Sequence, residues 1–186
     1  MKKSIAVVAT IFLSGILFAV NVNAAPVDVA KSSVTATFTQ TGVPVEAKFT
    51  RFKADVKYDP AAPQQTQANM QVDISSFDLG DPEYNKEVQK PEWFNAPKFA
   101  QATFVTQSVR ALAPDRLEAT GTLTIKGVAQ KVVVPIAVKQ NGALRTFAGE
   151  LPIKRLSYKI GEGDWSATDI LADVVKIKFT VVVVSQ

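Results

Sequence analysis

The chain has 186 residues, 47% of them hydrophobic, with 21 Lys and Arg against 17 Asp and Glu for a formal net charge of +4, and it contains neither Cys nor His. The missing thiols and imidazoles remove the commonest side chains of nucleophilic, redox and transition-metal chemistry, and they leave no disulfide to form even in an oxidising compartment. So small a charge, with no basic run longer than two residues, argues against nucleic acid as a partner.

Lys2 and Lys3 open the chain, an apolar stretch follows from Ile5 to Val20, and Val22-Asn23-Ala24 supplies the small residues that a signal peptidase reads. This predicts a signal peptide at 1–24 rather than a retained anchor, because the apolar stretch only approaches spanning length and ends in Asn21 and Asn23. No later segment is long and apolar enough to span a bilayer. Residues 25–186 are therefore expected to form one domain in an exported space, most simply a bacterial periplasm.

Val34, Ala36 and Phe38 alternate with threonines, which is the period of a half-buried strand. Val45, Ala47 and Phe49 then occupy odd positions, whereas Phe52, Ala54, Val56 and Tyr58 occupy even ones, so a bulge or bend is expected near Thr50 and Arg51. After a turn at Asp59-Pro60, Met70, Val72 and Ile74 mark a third strand. Gly80-Asp81-Pro82-Glu83 reads as a helix start with Asp81 as cap, ending before Pro91, and Trp93 and Phe94 follow as an aromatic plug across one mouth of the sheet.

Strands resume with residues 99–109, then Leu117 through Ile125, a tight connection at Lys126-Gly127, Val132 through Val138, and Phe147 through Ile153 after Asn141-Gly142. An irregular glycine-rich stretch with Gly161, Gly163 and Trp165 precedes a last strand from Val175 to Val183. Eight antiparallel strands joined mostly by short turns suit an all-β up-and-down barrel with a short helix across one end. A two-sheet sandwich is the competing architecture; the long strands and the bend near Thr50 favour the barrel.

Several segments together identify a resemblance. Gly42-Val43-Pro44-Val45-Glu46 leading to Phe49 and Phe52, Pro91-Glu92-Trp93-Phe94-Asn95, Ala102-Thr103-Phe104, Gly121 through Gly127, Arg155 with Tyr158, and Gly161-Glu162-Gly163-Asp164-Trp165 resemble the YceI family of polyisoprenoid-binding proteins. The resemblance runs through essentially the whole of residues 25–186. It implies a lipocalin-like barrel whose apolar lumen takes the tail of an amphiphilic isoprenoid lipid, a quinone or a polyprenyl phosphate. The expected role is that of a carrier, store or scavenger, as monomer or homodimer, and a quinone ligand would suggest transient contact with a membrane partner such as a cytochrome. Many members carry a His near the helix; this chain has none, so no His-dependent activity or metal site carries over.

Strand phase ranks Phe38, Phe52, Val72, Phe104, Leu123, Phe147 and Phe179 as lumen-facing, and the irregular segments add Trp93, Phe94 and Trp165 at an end. The same ten side chains packed on one another would make a dry core, the arrangement of an exported structural or protein-interaction domain. Arg155 and Lys159 can meet a phosphate or quinone head group at a mouth; surface solvation, or a pairing of Arg155 with a nearby carboxylate, is the favoured alternative. Asp164 with Asp169, and Asp81 with Glu83, match no calcium loop and read as caps or solvated turns. No Gly-x-Ser-x-Gly elbow and no phosphate-cradling glycine loop is present, so binding rather than catalysis is expected, with no cofactor other than a bound isoprenoid lipid.

Overall fold

A computed structural model describes residues 24–184. The signal peptide expected at 1–24 lies, but for Ala24, outside the described residues. In chain order the strands are β1 (Ser33–Gln40), β2 (Val43–Phe49), β3 (Phe52–Lys57), β4 (Gln67–Asp73), β5 (Phe77–Asp78), β6 (Gln101–Ala113), β7 (Arg116–Ile125), β8 (Val128–Asn141), β9 (Leu144–Lys154) and β10 (Val174–Val184). One α-helix, α1 (Pro82–Glu87), lies between β5 and β6. The strands form one antiparallel sheet in the order β3-β4-β6-β7-β8-β9-β10-β1-β2-β5.

Among the described residues ten strands stand where eight are expected, and the reason is local. β2 and β3 are separated only by Thr50 and Arg51, and β4 and β5 only by a 3-10 turn at Ile74–Ser76; β2 pairs with β5 while β3 pairs with β4. Each couple is one long strand broken at a corner. The two ends of the sheet, β3 and β5, thus belong to the same pair of bent strands, and the sheet curls into a barrel-like shell of eight long strands in up-and-down order.

A small polar cluster holds the corner. The Arg51 N–H donates to the buried Ser76 hydroxyl at 3.0 Å, and that hydroxyl donates to the Asp73 carbonyl at 2.6 Å. The Asp73 carboxylate accepts from Ser75 and from Arg51 Nε, contacts that hold its pKa below the usual carboxylate value. Where β1 stops pairing with β10 at Thr180, residues 25–27 take over: Ala25 bridges to Val56 and Val27 to Val183. The start of the described chain therefore seals a seam between β3 and the end of β10.

The inward faces follow the two-residue period. Leu117, Ala119, Leu123 and Ile125 on β7 are all buried, as are Val181 and Val183 at the end of β10. β6 departs from a single phase because register shifts at Thr106/Ser108 and Ala111/Ala113 leave Gln107 and Leu112 as extra residues. Phe104 and Val109 consequently face the same interior from even and odd positions. α1 starts as its sequence suggests, with the Asp81 carboxylate accepting from the N–H groups of Glu83 at 2.7 Å and Tyr84 at 3.4 Å.

Candidate functional site

Two cavities stand out in the interior formed by the described residues. The first, of about 140 Å³, lies among β3, β4, β6, β7, β9 and β10 and is lined by Ala54, Val72, Phe104, Leu123, Phe147 and Phe179, among other largely apolar residues. The second, of about 340 Å³, lies under α1 and the loops at one end, with Phe38, Phe77, Tyr84, Trp93, Trp165 and Leu171 among its lining. Tyr84, Glu87 and Val88 reach it from successive turns at the α1 end, the spacing that places residues on one helix face. The aromatic plug expected across one mouth is therefore the roof of the second cavity.

Nine of the ten side chains ranked from the sequence line a cavity. Val72, Phe104, Leu123, Phe147 and Phe179 line the first, Phe38, Trp93 and Trp165 the second, and Phe94 both. Phe52 lines neither. It is the first residue after the corner, half-buried, and although Ala54 and Val56 two and four positions on do line the first cavity, the bend takes Phe52 away from it. Phe104→Ala should therefore alter the amount of apolar ligand that the purified protein retains, whereas Phe52→Ala should leave it unchanged; equal responses in an extraction assay would contradict this placement.

Aromatic packing also depends on a close approach to backbone. A Cβ built on Gly149 would stand 2.6 Å from the Phe179 ring and 2.7 Å from the Pro135 carbonyl, so only glycine lets that ring lie flat against the sheet. Phase reasoning does not single out Phe49 and Phe77, which turn out to be central. The Phe77 ring lies 4.8 Å from Phe49 and meets Phe94 edge-on at 5.3 Å. Both residues abut a corner, Phe49 ending β2 and Phe77 opening β5, and only the change of phase after Phe49 hints at it.

The glycine-rich loop is built around Arg155. This side chain is 2% exposed and spends its guanidinium on five backbone carbonyls: Nε on Ala172 at 3.2 Å, Nη1 on Ile160 and Gly161 at 2.9 Å each, and Nη2 on Trp165 at 2.7 Å and Leu171 at 2.8 Å. Burial lowers its pKa from the ordinary value and Asp173 opposes that shift. None of the readings offered for Arg155 from the sequence holds: at 2% exposure it is not solvated at the surface. It is not free for a head group and makes no carboxylate salt bridge, because its whole donor fork is absorbed by the loop it shapes.

Further contacts weld this loop to the Trp93 segment. The N–H groups of Gly161 and Glu162 both donate to the Glu92 carbonyl, at 2.9 and 3.0 Å, and the Trp93 and Trp165 rings lie 5.1 Å apart. Gly161 has a φ of +71°, and a Cβ there would meet Arg155 Nη1 at 2.4 Å, so the position needs glycine twice over. From below, the buried Lys126 ammonium donates to the Lys159 carbonyl and to Glu162 Oε2, the latter at 2.9 Å. The Trp93 indole N–H is buried without a hydrogen-bond partner. Among the described residues, no group of His, Cys, Asp and Glu is arranged to hold a metal ion.

Comparison with known proteins gives a consistent picture. Residues 26–183 match the YceI-like domain family. The structure of BcnA from Burkholderia cenocepacia is 48% identical and superposes with a TM-score of 0.82 over 84% of this chain and 99% of that one. A polyisoprenoid-binding domain from Saccharophagus degradans, implicated in plant cell wall breakdown, shares the fold with a TM-score of 0.72 at 15% identity, over 88% of this chain and 99% of that one. A UPF0312 protein of Shewanella baltica is 32% identical over 90 residues, which cover 48% of this chain and 47% of that protein, so the match spans about half the length of this curated relative.

Proposed function

Because this chain belongs to the YceI-like family, we propose that it binds an amphiphilic isoprenoid lipid, with the tail in the barrel interior and the head in the cavity under α1. The observation that carries the reading is the interior itself: two adjoining cavities walled almost entirely by apolar side chains in a shell that has room it does not fill. Burying a hydrocarbon tail is worth about 0.8 kcal/mol per methylene. Ten buried groups supply about 8 kcal/mol, against association costs of about 4 to 15 kcal/mol, so a short apolar molecule binds weakly and a tail of several isoprene units clears the cost.

The lining of the second cavity favours a neutral head group. Arg155 is the only cation among the described residues that line it, and its donors are already spent on carbonyls; Glu87 adds a carboxylate at the edge. A polyprenyl phosphate would bring its charge to a wall with no free cation to meet it. With the export signal read from residues 1–24, the protein acts as a periplasmic carrier, store or scavenger of such a lipid, and not as an enzyme.

Native mass spectrometry of protein purified from its own periplasm, with organic extraction of whatever accompanies it, tests the proposal. The expected result is a stoichiometric species of long isoprenoid mass. A clean ligand-free mass that also refuses added quinone and polyprenyl phosphate would favour a protein-interaction domain instead.

A further inference from the structure

The two cavities share four lining residues: Phe49 at the end of β2, Phe94 after α1, Ile125 at the end of β7, and Ile177 in β10. No charged or hydrogen-bonding side chain belongs to this boundary. Opening it rearranges ring and methyl contacts but strands no buried polar group. The isoleucines stand on the sheet, whereas Phe94 sits on the turn after α1, tied by its N–H to the Val88 carbonyl at 3.1 Å. Its ring is braced by Phe77, which leans in turn on Phe49. Of the four, Phe94 is the one carried by neither sheet nor helix.

Size gives the boundary a consequence. An apolar cavity of about 150 Å³ accepts a benzene-sized group. The first cavity, at about 140 Å³, thus has room for one such unit and the second, at about 340 Å³, for about two. Neither alone admits a chain of several isoprene units. We propose that Phe94, braced by Phe77 and Phe49, is a movable septum that makes the site discriminate by tail length. Short tails occupy the second cavity with the ring in place, and long tails displace it and run on into the first. The inference rests on the lipid-binding reading above and adds to it a residue that decides which lipids fit.

The test is a binding series of isoprenoid alcohols, from prenol with one isoprene unit through geraniol with two to farnesol with three, with the wild-type protein and with Phe94→Ala. Both tryptophans of the chain, Trp93 and Trp165, line the second cavity, so their emission reports arrival there while native mass spectrometry reports total occupancy. In the wild type, affinity should rise from prenol to geraniol and stall from geraniol to farnesol, whose third unit has to displace the ring. Phe94→Ala should abolish the stall, raising the ratio of farnesol affinity to geraniol affinity by about tenfold. If that variant is unfolded by circular dichroism, Phe94→Leu replaces it and should shift the series in the same direction to a smaller extent. The same length dependence in wild type and a folded variant would overturn the septum and leave the lipid-binding reading standing. Failure of every alcohol to bind the wild type would bring down that reading and the septum with it.

Discussion

Replacing Arg155 with methionine should lower the melting temperature by on the order of 10 °C and loosen the loop that carries Trp165. The substitution keeps most of the side-chain volume but removes all five donors. The carbonyls of Ile160, Gly161, Trp165, Leu171 and Ala172 would be left facing a thioether in a site that is 2% exposed. An unsatisfied buried acceptor costs about 1–3 kcal/mol, and since neighbouring losses do not add in full, about 3–5 kcal/mol for the group is the expected scale. Arg155→Lys should recover only part, because three donors on a flexible stem cannot reproduce a planar fork spread over five oxygens. Thermal melts of the three proteins decide the matter, with tryptophan emission as a second readout because Trp165 packs on Trp93 beside the second cavity. A methionine variant that melts within about 2 °C of the wild type would show that the loop holds itself without the guanidinium.

Arg155 also marks the limit of what the sequence discloses. Its partners are main-chain oxygens, which every residue possesses, so no pattern of side chains announces them. By contrast, strands reveal themselves through their two-residue period, and the inward phase leads directly to Val72, Leu123, Phe147 and Phe179 as cavity walls. One corner is legible because the apolar phase switches between Phe49 and Phe52. The facing corner at Ile74–Ser76 is not, since Met70, Val72 and Ile74 keep one phase straight into it.

Phe52 illustrates the reverse case. Its phase is right and its position, one residue past a bend, is wrong for the cavity. The extra residues in β6 are similarly silent, because a bulge costs little in composition and shows only in the pairing with β7. Hardest of all to foresee is the boundary between the cavities. Phe49, Phe77 and Phe94 come from a strand end, a two-residue strand and a turn, and nothing in their spacing indicates that the rings converge.

The ten ranked side chains were open to two roles, cavity wall or packed core, and exposure now separates them. Phe147 is 4% exposed, belongs to the cluster of Leu117, Val138 and Val181, and meets the Tyr58 ring edge-on at 5.2 Å, with the Arg145 guanidinium 4.7 Å from the centre of the Tyr58 ring. Truncating such a ring costs about 3–5 kcal/mol. Phe147→Ala should therefore lower the melting temperature by on the order of 10 °C. Phe104 borders the same cavity but is only half-buried. It gives up fewer contacts on truncation, and Phe104→Ala should cost about half as much while widening the cavity directly. The two variants should thus part company: Phe147→Ala chiefly loses stability, and Phe104→Ala chiefly changes which apolar ligand is retained. Side-by-side melts and ligand extraction measure both quantities, and a Phe104→Ala variant that is as unstable as Phe147→Ala would mean that the ring supports the shell and does not merely line its interior.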